Sequence, residues 1–225
     1  MMRKEILVIG LGQFGMAIVK ALISQKVRVT AVDLNERNVQ MVAPDVDQAL
    51  CFDATDEEAL AAISPSSRDV CICTAGDQSK EAAIICTALL KQMGAKRIIA
   101  RANDKLHERI LRMVGAHEVV NPELEFGTRF ANHIVHEQIL EVMSFGSDLE
   151  VTEFKAPKAF IGKTLAQLEL RRKHQVTVVA KKTQTGENTH ALDPDEPFQT
   201  GDTLILVSKE GAVAKLLKDI GVKDE

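Results

Sequence analysis

The sequence predicts an α/β protein in which a doubly wound parallel sheet precedes a second, small α+β domain. Short apolar runs alternate with amphipathic segments over residues 4–121, which is the pattern of strands and helices in a parallel sheet. The first apolar run leads directly into a G-x-G-x-x-G turn. After Phe145 the pattern changes to strand-like alternation with hairpin-type turns, which indicates a mainly antiparallel sheet. We therefore expect two domains, at residues 1–144 and 145–225.

The composition indicates a globular protein with enough apolar residues for packed cores. The chain has 225 residues, of which 45% are hydrophobic, and its formal net charge is −4. Because the basic residues are spread along the chain, we expect no nucleic-acid partner. No stretch reaches the roughly 18 apolar residues of a membrane span, and the first residues lack the apolar segment of a signal peptide. These features predict a cytoplasmic protein.

The four cysteines lie in predicted strands or in an apolar helix, at positions 51, 71, 73 and 86. They do not form the paired C-x-x-C knuckles that are typical of zinc sites. We expect buried, reduced thiols rather than disulfides or metal ligands.

The first strand, Glu5 to Ile9, ends in the glycine turn that opens an amphipathic helix. In such a turn one glycine permits the tight bend, the second lets the backbone approach a phosphate, and the third lets the helix pack on the strand. The unpaired amides at the helix N-terminus then favour an anion. A second strand, Val27 to Val32, is followed by Asp33, about 20 residues after the turn, where an acid can bind a ribose. The sequence therefore predicts a nucleotide site at this turn.

The third strand, Gln48 to Phe52, is followed by the loop Asp53-Ala54-Thr55-Asp56. Thr55 or Asp56 suits the N-cap of the next helix, Glu57 to Ile63. The same loop follows the carboxyl end of a strand, where open α/β sheets bind ligands, and it could flank an adenine or a ribose. The pattern leaves both interpretations open.

Arg101 follows the fifth predicted strand. A guanidinium at this position either points into the nucleotide crevice, where it can bind a phosphate through two hydrogen bonds, or lies in solvent. The other predicted elements of this half are a strand at Asp69 to Thr74 closed by Ala75 and Gly76, a helix from Ser79 to Met93, the fifth strand at Arg97 to Ala100, a helix from Asp104 to Val114, and a sixth strand at His117 to Val120.

A further helix is predicted from about Glu123 to Met143. Its apolar stripe is too wide for a helix that packs on one sheet and indicates a partner subunit. His133 and His136 lie three residues apart on it, which fits a solvated or packed helix face better than a metal site. The interruption at 145–148 is predicted to be the linker between the domains.

The second domain shows weaker signals of strands and short helices. Its predicted elements are a strand around Leu149 to Phe154, a short helix from Thr164 to Leu170, a strand at Val176 to Ala180, a hairpin turn at Gln184 to Gly186, a strand at Thr203 to Val207, and a final helix from Glu210 to Asp219.

Known catalytic patterns are missing from the sequence. It contains no nucleophile elbow, no Walker A lysine and no zinc-protease motif, and the second half offers only His174 and His190 as candidate acids or bases. We therefore expect a binding protein and not an enzyme. The alternatives are an NAD-dependent oxidoreductase with a minimal second domain, and a CoA- or NAD-responsive transcription regulator, for which a basic recognition helix is missing.

Several motifs together resemble those of the RCK proteins, the cytosolic gating subunits of bacterial Ktr and Trk potassium uptake systems. The order and spacing of these motifs, together with the total length of the chain, match that family, and the match covers nearly the whole chain. They are the glycine turn with Ile9, Ala31-Val32-Asp33-Leu34-Asn35, the loop 53–56, Gly115-Ala116, Asn121-Pro122-Glu123, and Gly201-Asp202-Thr203-Leu204-Ile205-Leu206.

The resemblance implies a Rossmann-type RCK-N domain followed by an RCK-C domain. RCK-N domains of the family bind ATP, ADP or NAD(H), dimerise, and assemble into an octameric ring under a membrane potassium channel. The implied role is a regulatory subunit at the inner face of the cell membrane. The same features also fit an RCK protein that gates a different ion transporter.

The resemblance also implies a set of site residues. Arg101 would face the phosphates, and Glu125 would approach them from between subunits, where a divalent cation can bind. Many Ktr proteins carry arginine where this chain has Gln13, which donates a neutral hydrogen bond and cannot neutralise a γ-phosphate. The remaining nucleotide-binding residues would be Gly10, Leu11, Gly12, Gln13, Phe14, Gly15, Asp33, Asp53, Ala54, Thr55, Thr74, Ala75 and Gly76.

In several relatives the RCK-C domain binds cyclic di-AMP between subunits. The corresponding residues here would be Leu170, Arg171, Gln175 and Val176. Gln175 departs from the smaller or asparagine-like residue that is expected at its position.

Overall fold

The computed structural model describes residues 3–75, 80–145, 148–184, 188–189 and 192–221. By their internal contacts the residues form two compact units, Met1–Glu123 and Leu124–Glu225. The first unit holds a six-stranded sheet and the second a five-stranded sheet. The predicted fold class, a parallel α/β sheet followed by a small α+β domain, is confirmed.

The sheet of the first unit has the strand order β3-β2-β1-β4-β5-β6, and all of its pairs are parallel. Because β1 has β2 on one side and β4 on the other, the chain changes direction across the sheet at β1. This is the Rossmann order, and ligands bind such sheets at the carboxyl ends of the strands beside that point. The strands are β1 (Glu5–Ile9), β2 (Arg28–Asp33), β3 (Gln48–Cys51), β4 (Val70–Cys73), β5 (Ile98–Arg101) and β6 (Glu118–Val120).

Both faces of this sheet are buried under helices, as is typical of parallel sheets. Along β1, Leu7 and Ile9 belong to one apolar cluster, whereas Ile6 and Val8 belong to another. Alternate side chains of a strand point to opposite faces, so β1 contributes to two cores. The helices of this unit are α1 (Gln13–Ser24), α2 (Glu36–Val42), α3 (Glu57–Ala62), α4 (Lys80–Gln92) and α5 (Lys105–Val114).

The second unit contains an antiparallel sheet in the order β10-β9-β11-β8-β7. Its core contains Phe154, Phe160, Leu204 and Leu216, all nearly inaccessible to solvent. Helix α6 (Pro122–Val135) begins in the first unit and continues into the second. The other elements are β7 (Ile139–Phe145), β8 (Leu149–Lys155), α7 (Leu165–Leu168), α8 (Leu170–His174), β9 (Thr177–Lys182), β10 (Asn188–Thr189), β11 (Thr203–Lys209) and α9 (Ala212–Asp219).

The prediction of one helix from Glu123 to Met143 was wrong. Helix α6 ends at Val135, and β7 follows it as an edge strand that pairs antiparallel with β8, with Met143 opposite Val151. The apolar spacing of residues 139–143 fits a helix as well as a strand. The backbone hydrogen bonds with β8 stabilise the strand.

The predicted linker at 145–148 falls between the paired strands β7 and β8, and its Gly146 and Ser147 lie outside the described residues. The predicted boundary between residues 144 and 145 lies within β7, a strand of the second sheet. Of the predicted hairpin turn, Gly186 is likewise outside the described residues.

Three of the cysteines agree with the prediction and one does not. Cys71, Cys73 and Cys86 are buried free thiols, and burial raises the pKa of Cys71 to about 12. Cys51 is exposed at the end of β3, because this strand lies at the edge of the sheet. Within the described ranges, no helix is long and apolar enough to cross a bilayer.

Candidate functional site

A cavity of about 390 Å³ opens at the carboxyl ends of β1, β2 and β4. Asp33, Asp53 and Thr74, which lie at or just beyond the ends of three different strands, contribute to its wall. The full lining is Ile9, Gly10, Gly12, Val32, Asp33, Leu34, Asn35, Asn38, Phe52, Asp53, Ala54, Thr55, Thr74, Ala75, Ala82 and Cys86. The structure therefore brings together the glycine turn, the predicted ribose acid and the loop after β3.

A second depression, of about 470 Å³, includes residues from the amino ends of β1, β2 and β3. Its charged groups are paired with one another, since Glu5 bridges Arg28 and Arg68, and Arg28 also contacts Asp47. It has no glycine turn and lies away from the carboxyl edge where such sheets bind ligands. The first cavity is therefore the candidate ligand site.

The glycine turn is packed too closely for side chains at two positions. Gly10 has a φ of +93°, and a Cβ there would lie 2.7 Å from the backbone nitrogen of Ala75. A Cβ on Gly15 would lie 1.9 Å from the carbonyl oxygen of Gly10. The first glycine thus makes the bend and the third allows α1 to approach the turn, as the motif predicts.

The first turn of α1 presents backbone amides without protein partners. Its N-cap, Gly12, has no side chain to accept them, and the turn contains no acidic residue. Among the described residues, no hydrogen bond is formed by the amides of Gln13, Phe14 or Gly15. Amides of this kind at a helix N-terminus bind phosphate, and the helix dipole adds to the attraction.

Asp33 holds the glycine turn as well as lining the cavity. Its Oδ2 accepts a hydrogen bond from the amide of Leu11, and its Oδ1 accepts one from the amide of Asn35 at 2.7 Å. The side-chain amide of Asn38 approaches the same Oδ1 at 3.4 Å. The Leu11 amide is therefore already used by the protein, and phosphates would meet the amides that follow it.

The loop after β3 caps α3 and also lines the cavity. Its contact with an adenine or a ribose stays a prediction. Asp56 is the N-cap of α3 and accepts hydrogen bonds from the amides of Glu58 and Ala59. Asp53, Ala54 and Thr55 line the cavity. The backbone amide of Thr55, followed by its hydroxyl, donates to Asp53 and lowers the pKa of that carboxyl, which keeps it ionised.

Arg101 ends β5 and is buried, but it does not line the cavity. Its Nη2 donates to Glu123 Oε1 at 2.5 Å, and its guanidinium carbon lies 5.7 Å from the centre of the Phe14 ring. These contacts tie the arginine to the first turn of α1 and to the start of α6. A contact between Arg101 and a phosphate stays a prediction.

Several predicted residues lie elsewhere or beyond the described ranges. Leu11, Gln13, Phe14 and Gly15 belong to the turn but not to the cavity lining, and Gly76 lies outside the described residues. Glu125 is exposed on α6, in the second unit. Over the described parts of the chain, no three His, Cys, Asp or Glu side chains converge as a metal site, so a cation at Glu125 stays a prediction.

The residues suggested for cyclic di-AMP divide into two groups. Leu170 and Val176 belong to the buried core of the second unit, whereas Arg171 and Gln175 are exposed at α8. Only the latter two present side chains that a ligand could reach in this unit.

Sequence reasoning missed part of the cavity wall. Leu34, Asn38, Ala82 and Cys86 line it, and Asn35 caps α2 beside it. Ala82 and Cys86 show no local signal, because their position follows from the packing of α4 against β4. Asn35 and Asn38 follow Asp33 closely, and that spacing is the signal that could have identified them.

Comparison with known proteins gives matches over both units. The TrkA-N domain family matches residues 6–122, and the TrkA-C domain family matches residues 151–221. Ktr system potassium uptake protein A of Vibrio alginolyticus is 34% identical over 217 residues, which covers 96% of this chain and 98% of that protein. Ktr system potassium uptake protein C of Bacillus subtilis (strain 168) is 34% identical over 181 residues, covering 80% and 81%.

Solved structures share the fold. The crystal structure of the GsuK RCK domain matches with a TM-score of 0.67 at 20% identity and covers 100% of this chain. This chain spans 49% of that GsuK chain. The GsuK channel bound to NAD matches with a TM-score of 0.65, also at 20% identity, over 100% of this chain and 40% of the other.

Proposed function

This chain belongs to the TrkA-N/TrkA-C family of RCK regulators of Ktr and Trk potassium uptake, and we propose that it is the nucleotide-binding subunit that gates a membrane potassium channel or transporter. The similarity to Ktr proteins A and C, over most of both chains, supports a regulatory role in potassium transport. The proposed activity is ligand binding without turnover.

One observation supports the nucleotide site most directly. The glycine turn, Asp33 and the loop 53–55, which are far apart in the sequence, meet in one cavity beside unpaired helix amides. This arrangement offers an anion site for phosphates and a carboxylate for a ribose hydroxyl. Arg101 and Gly76 complete the proposed set of contacts.

The proposed ligand is an adenine nucleotide, ATP or ADP, or NAD(H). GsuK has been solved with NAD and with ADP, which supports this chemical class. The charge of Asp33 disfavours NADP, because it would meet the 2′-phosphate. Gln13 gives no positive charge to a γ-phosphate, so this turn offers less preference for ATP over ADP than an arginine would.

The gating mechanism rests on assembly. Helix α6 exposes Phe126, Phe130 and Ile134, which gives it an apolar face suited to a second subunit. We propose a homodimer that assembles into an octameric ring at the inner face of the membrane, with a divalent cation near Glu125 and cyclic di-AMP as a second ligand at Arg171 and Gln175. ATP and ADP, or NADH and NAD, would favour different ring shapes. A ligand shifts the ring only by its differential affinity for the two shapes.

Scanning fluorimetry of the full chain with ATP, ADP, AMP, NAD, NADH and cyclic di-AMP tests the ligand class. A ligand at 100 times its dissociation constant adds about 2.7 kcal/mol of stability and raises the melting temperature. Asp33→Ala should abolish the shift by nucleotides, since it removes the ribose acid and frees the Leu11 amide. Asp47→Ala is the matched control. Asp47 also accepts a backbone amide, from Val29, but it lies at the opposite edge of the sheet.

A nucleotide shift that survives in Asp33→Ala would place the site elsewhere, and no shift with any nucleotide would refute the proposed function. The mechanism is tested separately by small-angle scattering of the assembled protein. If ATP and ADP bind but leave the scattering curve unchanged, nucleotide-driven reshaping of the ring is excluded.

A further inference from the structure

Thr74 lies at the point where the glycine turn meets the end of β4. Its hydroxyl donates to the carbonyl oxygen of Gly10, with Oγ1 2.5 Å from that oxygen and 3.1 Å from the carbonyl oxygen of Ile9. Its backbone amide donates to the same Ile9 oxygen at 2.8 Å. The side chain is buried, so these contacts are made away from bulk water.

The peptide unit between Gly10 and Leu11 is held at both ends. Its carbonyl oxygen accepts from Thr74, on the β4 side of β1, and its amide donates to Asp33, on the β2 side. Two side chains from the strands that flank β1 therefore fix the orientation of one peptide plane. The amides of the next residues, at the start of α1, keep their direction only while that plane keeps its orientation.

We propose that Thr74 is a positioning residue for the phosphate-binding turn, acting through the Gly10 carbonyl and not as a ligand donor. A hydroxyl has one hydrogen, and this hydrogen is engaged by the backbone, so Thr74 can meet a ligand only as an acceptor. Phosphate oxygens also accept hydrogen bonds, and an acceptor gives them no attraction. The contribution of Thr74 to nucleotide affinity is therefore indirect and rests on the proposed nucleotide function.

This role predicts a selective loss of affinity. The ribose and base would meet Asp33, Leu34 and Ala54, which remain in place when the Thr74 hydroxyl is removed. The phosphates would meet the turn, whose amides lose their fixed direction. Affinity for a nucleotide diphosphate should fall, while affinity for adenosine, which has no phosphate, should change little.

The test compares ADP and adenosine binding to full-length Thr74→Val, Thr74→Ser and Thr87→Val by isothermal titration calorimetry. Valine keeps the shape of threonine and removes the hydroxyl, and serine keeps the hydroxyl. Thr87 is the matched control, because its buried hydroxyl also donates to a backbone carbonyl, that of Ala83 at 2.7 Å, and it does not line the cavity.

We expect Thr74→Val to raise the dissociation constant of ADP by about tenfold or more while that of adenosine changes less than about threefold. Thr74→Ser should bind ADP like the wild type, and Thr87→Val should match the wild type for both ligands. If Thr74→Val is too unstable to measure, Thr74→Ala at low temperature gives the same comparison.

Unchanged ADP binding by Thr74→Val would overturn the inference, and so would an equal loss for ADP and adenosine, which would show a general effect on folding. A wild-type chain that binds neither ligand would instead refute the proposed nucleotide function.

Discussion

Substitution of Gly15 by alanine tests the packing of the glycine turn. The new Cβ would lie 1.9 Å from the Gly10 carbonyl oxygen and 2.6 Å from Thr74 Oγ1, whereas real Cβ atoms keep beyond 3.0 Å. Helix α1 and the turn would therefore have to separate by about 1 Å, and overpacking of this kind costs about 1–3 kcal/mol. Alanine recovers at most about 1 kcal/mol through its better helix propensity. The net loss of unfolding free energy is therefore at most about 2 kcal/mol.

For a chain of this size, that loss lowers the melting temperature by up to about 8 °C. The displaced turn should also lose at least one amide contact to phosphate, which weakens ADP binding by about tenfold or more. Scanning fluorimetry gives the first quantity and calorimetric titration with ADP gives the second. Gly127→Ala is the control, because Gly127 also lies in a helix, α6, and a Cβ there meets nothing within 4 Å.

The control should keep the ADP affinity and should not lower the melting temperature. If Gly15→Ala is as stable as the wild type and binds ADP equally well, then α1 does not pack on the turn as described, and the role given to the third glycine is refuted.

Three further predictions concern other parts of the chain. His107 is buried, and its Nε2 has no hydrogen-bond partner among the described residues. Burial lowers the pKa of His107 below the ordinary 6.5. As the pH falls through 6.5, the histidine therefore takes up a proton in the unfolded state before it does so in the folded state. The unfolding free energy should decrease over this range. Denaturant titrations from pH 7.5 to 5 should show that the unfolding free energy of His107→Gln depends less on pH than that of the wild type. An equal pH dependence in both proteins would contradict this prediction. Lys181 is buried and pairs with Glu196 at 2.6 Å. Glu196→Gln should therefore lower the unfolding free energy by about 1–3 kcal/mol, and by more than Lys181→Met does, because it leaves a buried ammonium without its counter-charge. The opposite ranking of the two variants in urea unfolding would refute this. Phe130→Glu places a charge on the exposed apolar face of α6 and should reduce the mass measured by light scattering, whereas exposed Lys20→Glu on α1 should not; an unchanged mass for Phe130→Glu would exclude this face from assembly.

The first unit follows closely from its sequence because its local signals agree with one another. Each strand is a short apolar run, and Gly94 and Gly115 follow the ends of α4 and α5 with positive φ, where glycine is favoured. Element ends differ from the prediction by a residue or two, as at Ile98–Arg101 for β5.

The strand β7 could not be predicted because Ile139, Leu140 and Met143 fit a helical stripe as well as an edge strand. Its identity depends on pairing with β8, which is a tertiary interaction. The ion pair of Arg101 with Glu123 escaped prediction for the same reason. It joins residues that are distant in sequence, and no local pattern of charge indicates it.

The glycine turn and Asp33 were predicted as ligand contacts, but their mutual contacts were not. The hydrogen bonds of Leu11 with Asp33 and of Gly10 with Thr74 require the strand order, which brings β2 and β4 to either side of β1. Sequence motifs thus identified the residues, and the sheet topology explains how they are held.

We propose that an adenine nucleotide or NAD(H) occupies the cavity at the carboxyl ends of β1, β2 and β4. Isothermal titration of the wild-type chain with ATP, ADP, NAD and NADH tests it most directly, with Asp33→Ala and Asp47→Ala measured in parallel. We predict saturable binding of at least one of these ligands at about one molecule per chain, lost in Asp33→Ala and kept in Asp47→Ala. Absence of binding to the wild type, or equal binding to Asp33→Ala, would contradict the claim.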